Sequence, residues 1–177
     1  MRTPITPRRT SGGFSLVELI VVMVVVGIIA AVLLDRVKFY QEQAEKTTME
    51  ATAAAVQAAL LLRMAGYLAS GQERDIQRLA TENPMEWLAR KPESYAGALD
   101  PVAARDLPGG TWYYDLTDHT VVYLVRYGRA FVPDEEGRKE VRFRARVEYG
   151  RLEPGSALIG IRRMEFAPVH PYGWQID

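Results

Sequence analysis

The stretch Gly12-Gly13-Phe14-Ser15-Leu16-Val17-Glu18-Leu19 ends a basic arm and begins a long apolar run. From Phe14 to Leu34 there are 21 residues, and Glu18 is the only one that carries a formal charge. Because an α-helix rises about 1.5 Å per residue, a helix over this run spans about 30 Å, the thickness of a bilayer's hydrocarbon core. The run therefore predicts a membrane-spanning helix with one acid near its start.

The basic arm indicates how such a helix is oriented. Residues 1 to 13 contain Arg2, Arg8 and Arg9 and no acid, which favours a cytoplasmic N-terminus and a C-terminus sent across the membrane. A secretory signal has its small-residue cleavage site after the apolar region, whereas Gly12-Gly13 precedes it here. Cleavage at this pair leaves the helix in the mature protein, with a new N-terminus at Phe14.

Glu18 needs a physical explanation, because a carboxylate in hydrocarbon costs about 3 kcal/mol or more. One explanation is that Glu18 lies about one helical turn inside the membrane edge and its side chain reaches the headgroups. The other is that it pairs with a positive group on a neighbouring copy, such as the new amino group at Phe14. The sequence pattern leaves both open.

Gly13 to Leu19, followed by the apolar residues up to Ala31, resembles the processing site and stalk of type IV pilins and of type II secretion pseudopilins. The resemblance implies that a prepilin peptidase cuts between Gly13 and Phe14 and that the Phe14 amino group is N-methylated. It also implies that Glu18 neutralises the N-terminus of an adjacent subunit in a filament. The family often has a proline where Asp35 stands, so we expect this helix to continue unbroken there.

The helical pattern continues beyond the apolar run, with no Gly or Pro between Asp35 and Gly66. One stripe of apolar or small residues has helical spacing: Val37, Tyr40, Ala44, Ala51, Ala55, Ala58, Leu62 and Ala65. We expect a helix from Phe14 to about Ala69 that docks on a sheet through this stripe. The charged residues of the same segment are interpreted as a solvated face, with subunit contacts as the alternative: Arg36, Lys38, Glu42, Glu45, Lys46 and Glu50.

The segment after the helix predicts two short helices and a loop. Ser70 and Glu73 have the spacing of a capping box for a helix to about Leu79, and Asn83-Pro84 has the residues of a helix start. Trp87 and Leu88 are expected to pack over the core. Residues 91 to 110 are rich in Pro and Gly and are interpreted as surface loop.

Four strands are predicted in the C-terminal part. Residues 112–116 and 120–127 are rich in aromatic and β-branched residues and flank a turn, which predicts a hairpin. Residues 141–149 alternate apolar and charged, and residues 158–166 form a less regular strand. The fold class is therefore α+β, with a long N-terminal helix packed on an antiparallel sheet of about four strands.

Charged side chains of the sheet permit other functions that the sequence favours less. Arg142, Arg144 and Arg146 share one strand face and are interpreted as solvated, with binding of a polyanion or an acidic neighbour as the alternative. Asp115, Asp118 and His119 have metal-ligating groups near one turn, but such a set is common by chance. We expect no metal site, no cofactor and no catalytic residue, since nucleophile and phosphate-binding motifs are absent from the sequence.

Composition limits the remaining classes. Lys+Arg and Asp+Glu both number 22, and without the arm the remainder is mildly acidic, which does not favour nucleic-acid binding. There is no cysteine, so neither disulfides nor thiolate chemistry is available. The third possibility weighed, a metal-dependent periplasmic enzyme, depends on Asp115 and His119 alone.

The expected organisation is a cleaved basic leader at 1–13, a transmembrane and polymerisation helix at 14–34, and a periplasmic helix half at 35–69. The remaining chain is expected to form short helices and a loop at 70–110, followed by a sheet and a tail at 111–177. The resemblance implies an inner-membrane, filament-forming pilin-like subunit whose partners are prepilin peptidase, other pilins, an assembly platform and membrane lipid. The lack of the C-terminal cysteine pair common in major pilins, and of a convincing calcium loop, favours a pseudopilin or minor pilin. The alternative is a single-span anchored periplasmic binding or scaffold protein with an uncleaved signal anchor.

Overall fold

The computed structural model describes residues 14–134, 136–151 and 159–176. The chain divides into two compact units, Met1–Lys38 and Phe39–Asp177. The first contains the apolar run, and the second contains a folded core of its own.

The first element is the helix α1, Leu16–Ala69, which has 54 residues. Asp35 lies within it and causes no break, so the expectation for this position is confirmed. At its end Gly71 has a φ of +70°, and Gln72 N–H donates to the carbonyl of Tyr67 at 2.9 Å. Together with the bond from Gly71 N–H to Leu68 O at 3.2 Å, this is a Schellman termination, in which glycine adopts a left-handed conformation that other residues avoid.

The predicted capping box after α1 is wrong. Ser70 still belongs to the helix end, and its hydroxyl donates to the carbonyls of Gly66 and Tyr67. The following segment, Glu73–Ala80, is a 3-10 helix preceded by Gln72, which provides no side-chain cap. The helix start predicted at Asn83-Pro84 is confirmed. Pro84–Trp87 is a 3-10 helix, and the side chain of the preceding Asn83 accepts a hydrogen bond from Met85 N–H at 3.1 Å.

A five-stranded sheet completes the second unit, in the order β1-β2-β3-β4-β5. Its strands are β1 Tyr95–Leu99, β2 Trp112–Asp115, β3 Thr120–Leu124, β4 Glu140–Arg151 and β5 Ile159–Pro168. The α+β class, the hairpin and the two long strands are confirmed. The fifth strand, β1, was not predicted, so the interpretation of all of 91–110 as surface loop is wrong for Tyr95–Leu99. β1 pairs in parallel with β2, whereas the other pairs are antiparallel.

The core lies between one face of the sheet and the second part of α1. Trp112, Val121 and Phe143 from three neighbouring strands belong to it, and Met49, Val56 and Leu60 are the fully buried apolar side chains of α1. Met85 is also fully buried, and Trp87 and Leu88 pack against this core as expected. Apolar surface removed from water is the main source of stability in such a core.

The face of α1 that packs on the sheet differs from the predicted stripe. All eight stripe residues from Val37 to Ala65 are exposed, whereas Met49, Val56 and Leu60 are buried. Both sets have helical spacing, because an Ala-rich helix has apolar residues on more than one face. The sheet takes the face with the larger side chains, which bury more apolar area per residue.

The opposite face of the sheet carries a second, smaller core and a polar cluster. Ala104, Tyr113 and Val122 form the small core, which the segment after β1 covers. Arg142, interpreted above as solvated, is largely buried, and its guanidinium donates to the fully buried Asp115 at 2.9 Å. The solvated-face interpretation is therefore wrong for Arg142, because the Asp115 carboxylate needs a buried partner.

Candidate assembly site

Ser15 begins α1 by capping it. Its hydroxyl accepts a hydrogen bond from Glu18 N–H at 3.2 Å, and its carbonyl accepts from Leu19 N–H at 3.1 Å. The first amides of a helix have no partner within the helix, and a serine before the first turn satisfies one of them. Glu18 therefore lies in the first turn, where a carboxylate also interacts favourably with the helix dipole.

The apolar run is exposed throughout. The exposed fraction is 73% for Phe14 and 61% for Leu34, and every residue between them is exposed. Its most apolar stretch of 18 residues is entirely unburied. α1 is long and apolar enough to cross a membrane, and its apolar half is not covered by the rest of the described chain.

The structure brings together two of the predicted site residues. Phe14 directly precedes the helix cap, and Glu18 follows within its first turn, so both lie at the same end of α1. In the ranges that the structure describes, no hydrogen bond or ion pair involves the Glu18 carboxylate. Gly13, the predicted processing residue, lies outside the described residues.

A family model, the prokaryotic N-terminal methylation motif, matches residues 8–34. This chain carries the type IV pilin signature. The motif supports a prepilin-type, type IV pilin-like protein, and the apolar helix fits a membrane-anchored one. Searches of curated proteins and of solved structures found no match.

The second part of α1 also carries polar groups that hold the folded unit. Glu42 is only 5% exposed and accepts from Ala130 N–H at 2.8 Å and from the Trp174 indole N–H at 2.9 Å. Lys46 donates to the Trp174 carbonyl at 2.8 Å. The solvated-face interpretation is therefore wrong for Glu42 and Lys46. Both have helical spacing to Met49, and this spacing was the signal in the sequence that could have placed them on the buried face.

Glu45 lies between these two residues in the sequence and accepts hydrogen bonds from β3 and from the turn that follows it. Its carboxylate accepts from the Tyr123 hydroxyl at 2.8 Å and from the backbone N–H groups of Arg126 and Tyr127, both at 2.6 Å. Burial of the phenol, followed by this hydrogen bond, raises the pKa of Tyr123 well above its ordinary value near 10. These contacts hold the end of β3 and the turn that follows it on the helix, so the solvated-face interpretation is wrong for Glu45 as well.

The residues weighed as a metal site have other partners. Asp115 accepts from Thr117 N–H at 2.9 Å and pairs with Arg142, so its oxygens serve the turn and the guanidinium. His119 has its Nδ1 atom 3.1 Å from the Tyr114 hydroxyl. Within the described ranges, no group of three or more His, Cys, Asp or Glu residues has the arrangement of a metal site.

Proposed function

We propose that this chain is a structural subunit of a type IV pilus-like filament, as a pseudopilin or minor pilin of a type II secretion or type IV pilus system. One observation carries the proposal: the methylation motif at 8–34 includes the start of α1, from Leu16 to Leu34, whose apolar side chains are exposed. An apolar surface of this extent needs lipid or other subunits around it. Both are what a filament subunit meets before and after assembly.

The proposed sequence of events begins in the inner membrane. The arginines before the apolar run keep the N-terminus in the cytoplasm, and the sheet domain lies in the periplasm. Prepilin peptidase cuts after Gly13, and the new amino group at Phe14 is methylated. An inner-membrane assembly platform then moves the subunit from lipid into a filament in the periplasm or at the cell surface.

Glu18 gives this transfer its specificity. Its carboxylate has no partner among the described residues, and it lies one turn from the residue that becomes the N-terminus. A charge in an apolar environment is stabilised by an opposite charge. We assign the Phe14 amino group of an adjacent subunit to that role, so that the pair sets the register between subunits.

The exposed stripe of α1 supports contacts between subunits further along. Ala51, Ala55, Ala58 and Ala65 are small and exposed, and Leu62 among them is 76% exposed. Small side chains allow two helices to approach closely, since interaxial distance depends on the side chains at the contact. The stripe leaves a helix face available while the opposite face holds the sheet.

Replacing Glu18 tests the assignment. We expect Glu18→Ala, expressed in a cell with a functional pilus or secretion machinery, to be processed normally but incorporated at least about tenfold less into sheared filaments, because a charge pair in an apolar environment is lost. Glu148→Ala is the control, since Glu148 is exposed on β4 and should have no effect. Normal incorporation of Glu18→Ala contradicts the charge-pairing role.

A second function remains compatible with the helix alone. A single-span periplasmic binding or scaffold protein with an uncleaved anchor needs the same exposed apolar segment, and a signal sequence near the N-terminus also meets the length and apolarity of a membrane span. This alternative requires no cut at Gly13 and no role for Glu18. Retention of residues 1 to 13 in the mature chain distinguishes it from the filament subunit.

A further inference from the structure

The first turn of α1 does not include Phe14. The helix begins at Leu16, and Leu19 N–H donates to the Ser15 carbonyl at 3.1 Å. A helix that began one residue earlier would have Glu18 N–H donate to the Phe14 carbonyl, because helical amides bond four residues back. Glu18 N–H donates instead to the Ser15 hydroxyl at 3.2 Å. The serine side chain therefore takes the amide that would extend the helix over Phe14.

The neighbouring sequence does not stop the helix at this position by itself. Phe14 is compatible with a helix, since aromatic residues have intermediate helix propensity. Gly13, which precedes it in the sequence, is a residue type accepted directly before a helix. A chain without the Ser15 hydroxyl is therefore expected to begin its helix at Phe14.

The surroundings of this end of α1 strengthen the competition between the two acceptors. Phe14 and the residues after it are exposed, and α1 is long and apolar enough to cross a membrane. In lipid no water satisfies a free amide, so a backbone N–H must find its acceptor within the protein. For Glu18 N–H the acceptors adjacent in the chain are the Ser15 hydroxyl and the Phe14 carbonyl. Removal of the hydroxyl leaves the carbonyl.

We propose that Ser15 is a positioning residue for processing at Phe14, because its hydroxyl keeps Phe14 and the peptide bond before it out of the helix. This inference rests on the proposed function, in which a prepilin peptidase cuts that bond. Two independent observations coincide at this place: the cap of α1, and the N-terminal methylation motif that matches residues 8–34. Ser15 acts through the backbone conformation of Phe14 and does not touch the reacting atoms.

The conformation of Phe14 affects the cut because proteolysis is concentrated where the backbone lies outside regular structure. A bond held in a helix is cut only after local opening, so its cleavage follows the population of the open form. Phe14 is non-helical and 73% exposed. Water adds across the bond between Gly13 and Phe14, which gives a carboxyl group on Gly13 and an amino group on Phe14. The same cap then leaves this amino group ahead of the first turn, where the Glu18 carboxylate of an adjacent subunit reaches it.

Three substitutions at Ser15 separate this role from recognition of the hydroxyl by the peptidase. Ser15→Thr keeps a hydroxyl that can cap the helix. Ser15→Gly has no hydroxyl but is tolerated as a cap, whereas Ser15→Ala is a poor cap and a strong helix former. Ser70→Ala is the matched control, because it removes a serine hydroxyl from the other end of α1.

The full-length precursors are incubated in detergent micelles with a purified prepilin peptidase, and the initial rate of loss of residues 1 to 13 is measured. The Cα chemical shift of Phe14 in the uncut precursor reports whether this residue is helical. We expect Ser15→Thr and Ser15→Gly to be cut within about twofold of the unchanged chain, and Ser15→Ala about fivefold more slowly. The Phe14 shift moves to the helical value in Ser15→Ala alone, and Ser70→Ala behaves as the unchanged chain.

Three results overturn the positioning role. They are cleavage of Ser15→Ala at the unchanged rate, cleavage of Ser15→Gly as slow as that of Ser15→Ala, and a Phe14 shift that stays non-helical in Ser15→Ala. The second of these indicates that the peptidase binds the hydroxyl itself. Failure of the peptidase to cut the unchanged chain is a separate result, which removes the proposed function and this inference with it.

Discussion

The carboxylate of Glu42 lies 2.9 Å from the indole nitrogen of Trp174, although 132 positions separate the two residues. Trp174 is 2% exposed and pairs edge-to-face with Phe131, which forms a β-bridge to it. The same carboxylate also accepts from Ala130 N–H. One acid of α1 therefore joins the segment before β4 and the segment after β5 to the helix.

Removing this carboxylate should destabilise the folded unit. We expect Glu42→Ala to lower the free energy of unfolding by about 3 kcal/mol, since one buried and one half-buried donor lose a charged acceptor. The measurement is chemical unfolding of the full chain in detergent, followed by tryptophan fluorescence. Gln43→Ala is the control, because the neighbouring Gln43 is exposed and should change stability by less than about 0.5 kcal/mol. Equal effects of the two substitutions contradict a role for the Glu42 contacts.

Tyr123 predicts a loss of stability in alkali. Because burial and the Glu45 hydrogen bond raise its pKa, the folded state keeps the phenol proton at a pH where the unfolded state has lost it. The contribution of Tyr123 to the free energy of unfolding is fully present below about pH 10. Above this pH the free energy of unfolding falls by about 1.4 kcal/mol per pH unit for each such tyrosine, until the folded-state pKa is reached. We expect Tyr123→Phe to reduce this slope by one proton, measured as the free energy of unfolding between pH 9 and 11. An unchanged slope contradicts the assignment.

Leu60 and Leu62 test the two faces of α1 separately. Leu60 is fully buried against the sheet, whereas Leu62 is 76% exposed on the stripe. We expect Leu60→Ala to cost about 2 to 5 kcal/mol in unfolding experiments and Leu62→Ala to cost almost nothing. In filament incorporation assays the Leu62 variant, though fully folded, should be the impaired one. Normal incorporation of Leu62→Ala removes the stripe from the assembly surface.

Gln57 should protect the outer edge of the sheet. Its side-chain oxygen accepts from Phe166 N–H, and its amide donates to the Met164 carbonyl at 3.4 Å, so it occupies backbone groups of the edge strand β5. Unpaired edge groups are sites for association with other chains. We expect Gln57→Ala to cost about 1 to 2 kcal/mol and to increase aggregation measured by light scattering. The exposed Ala54→Ser change is the control, and equal aggregation of both variants contradicts this role.

The parts of the fold that follow from local composition were predictable. The apolar run from Phe14 to Leu34 predicts a helix because of its length, and the alternation over 141–149 predicts β4 because one face must be buried. Asn83-Pro84 has a start signal that depends on adjacent residues alone. Each of these depends on interactions within a short stretch of chain.

Features that depend on distant partners were missed. β1 has the sequence Tyr-Ala-Gly-Ala-Leu, which has little strand propensity, and it forms because β2 offers a parallel edge. The docking face of α1 was predicted incorrectly, since an Ala-rich helix has two apolar faces and only the sheet selects one of them. From the sequence, Arg142 and Glu42 were interpreted as surface charges, because their partners Asp115 and Trp174 are distant in the chain and contact them only in the folded structure.

The mass of the mature chain, purified from a cell that contains a prepilin peptidase, tests the central claim most directly. A filament subunit of this type begins at Phe14 and carries one methyl group on its amino nitrogen, so residues 1 to 13 are absent from the intact mass. The predicted result is that single mature species, with the methyl group located on Phe14 by fragmentation. A mature chain that still begins at Met1 or Arg2 contradicts the account and indicates an uncleaved membrane anchor.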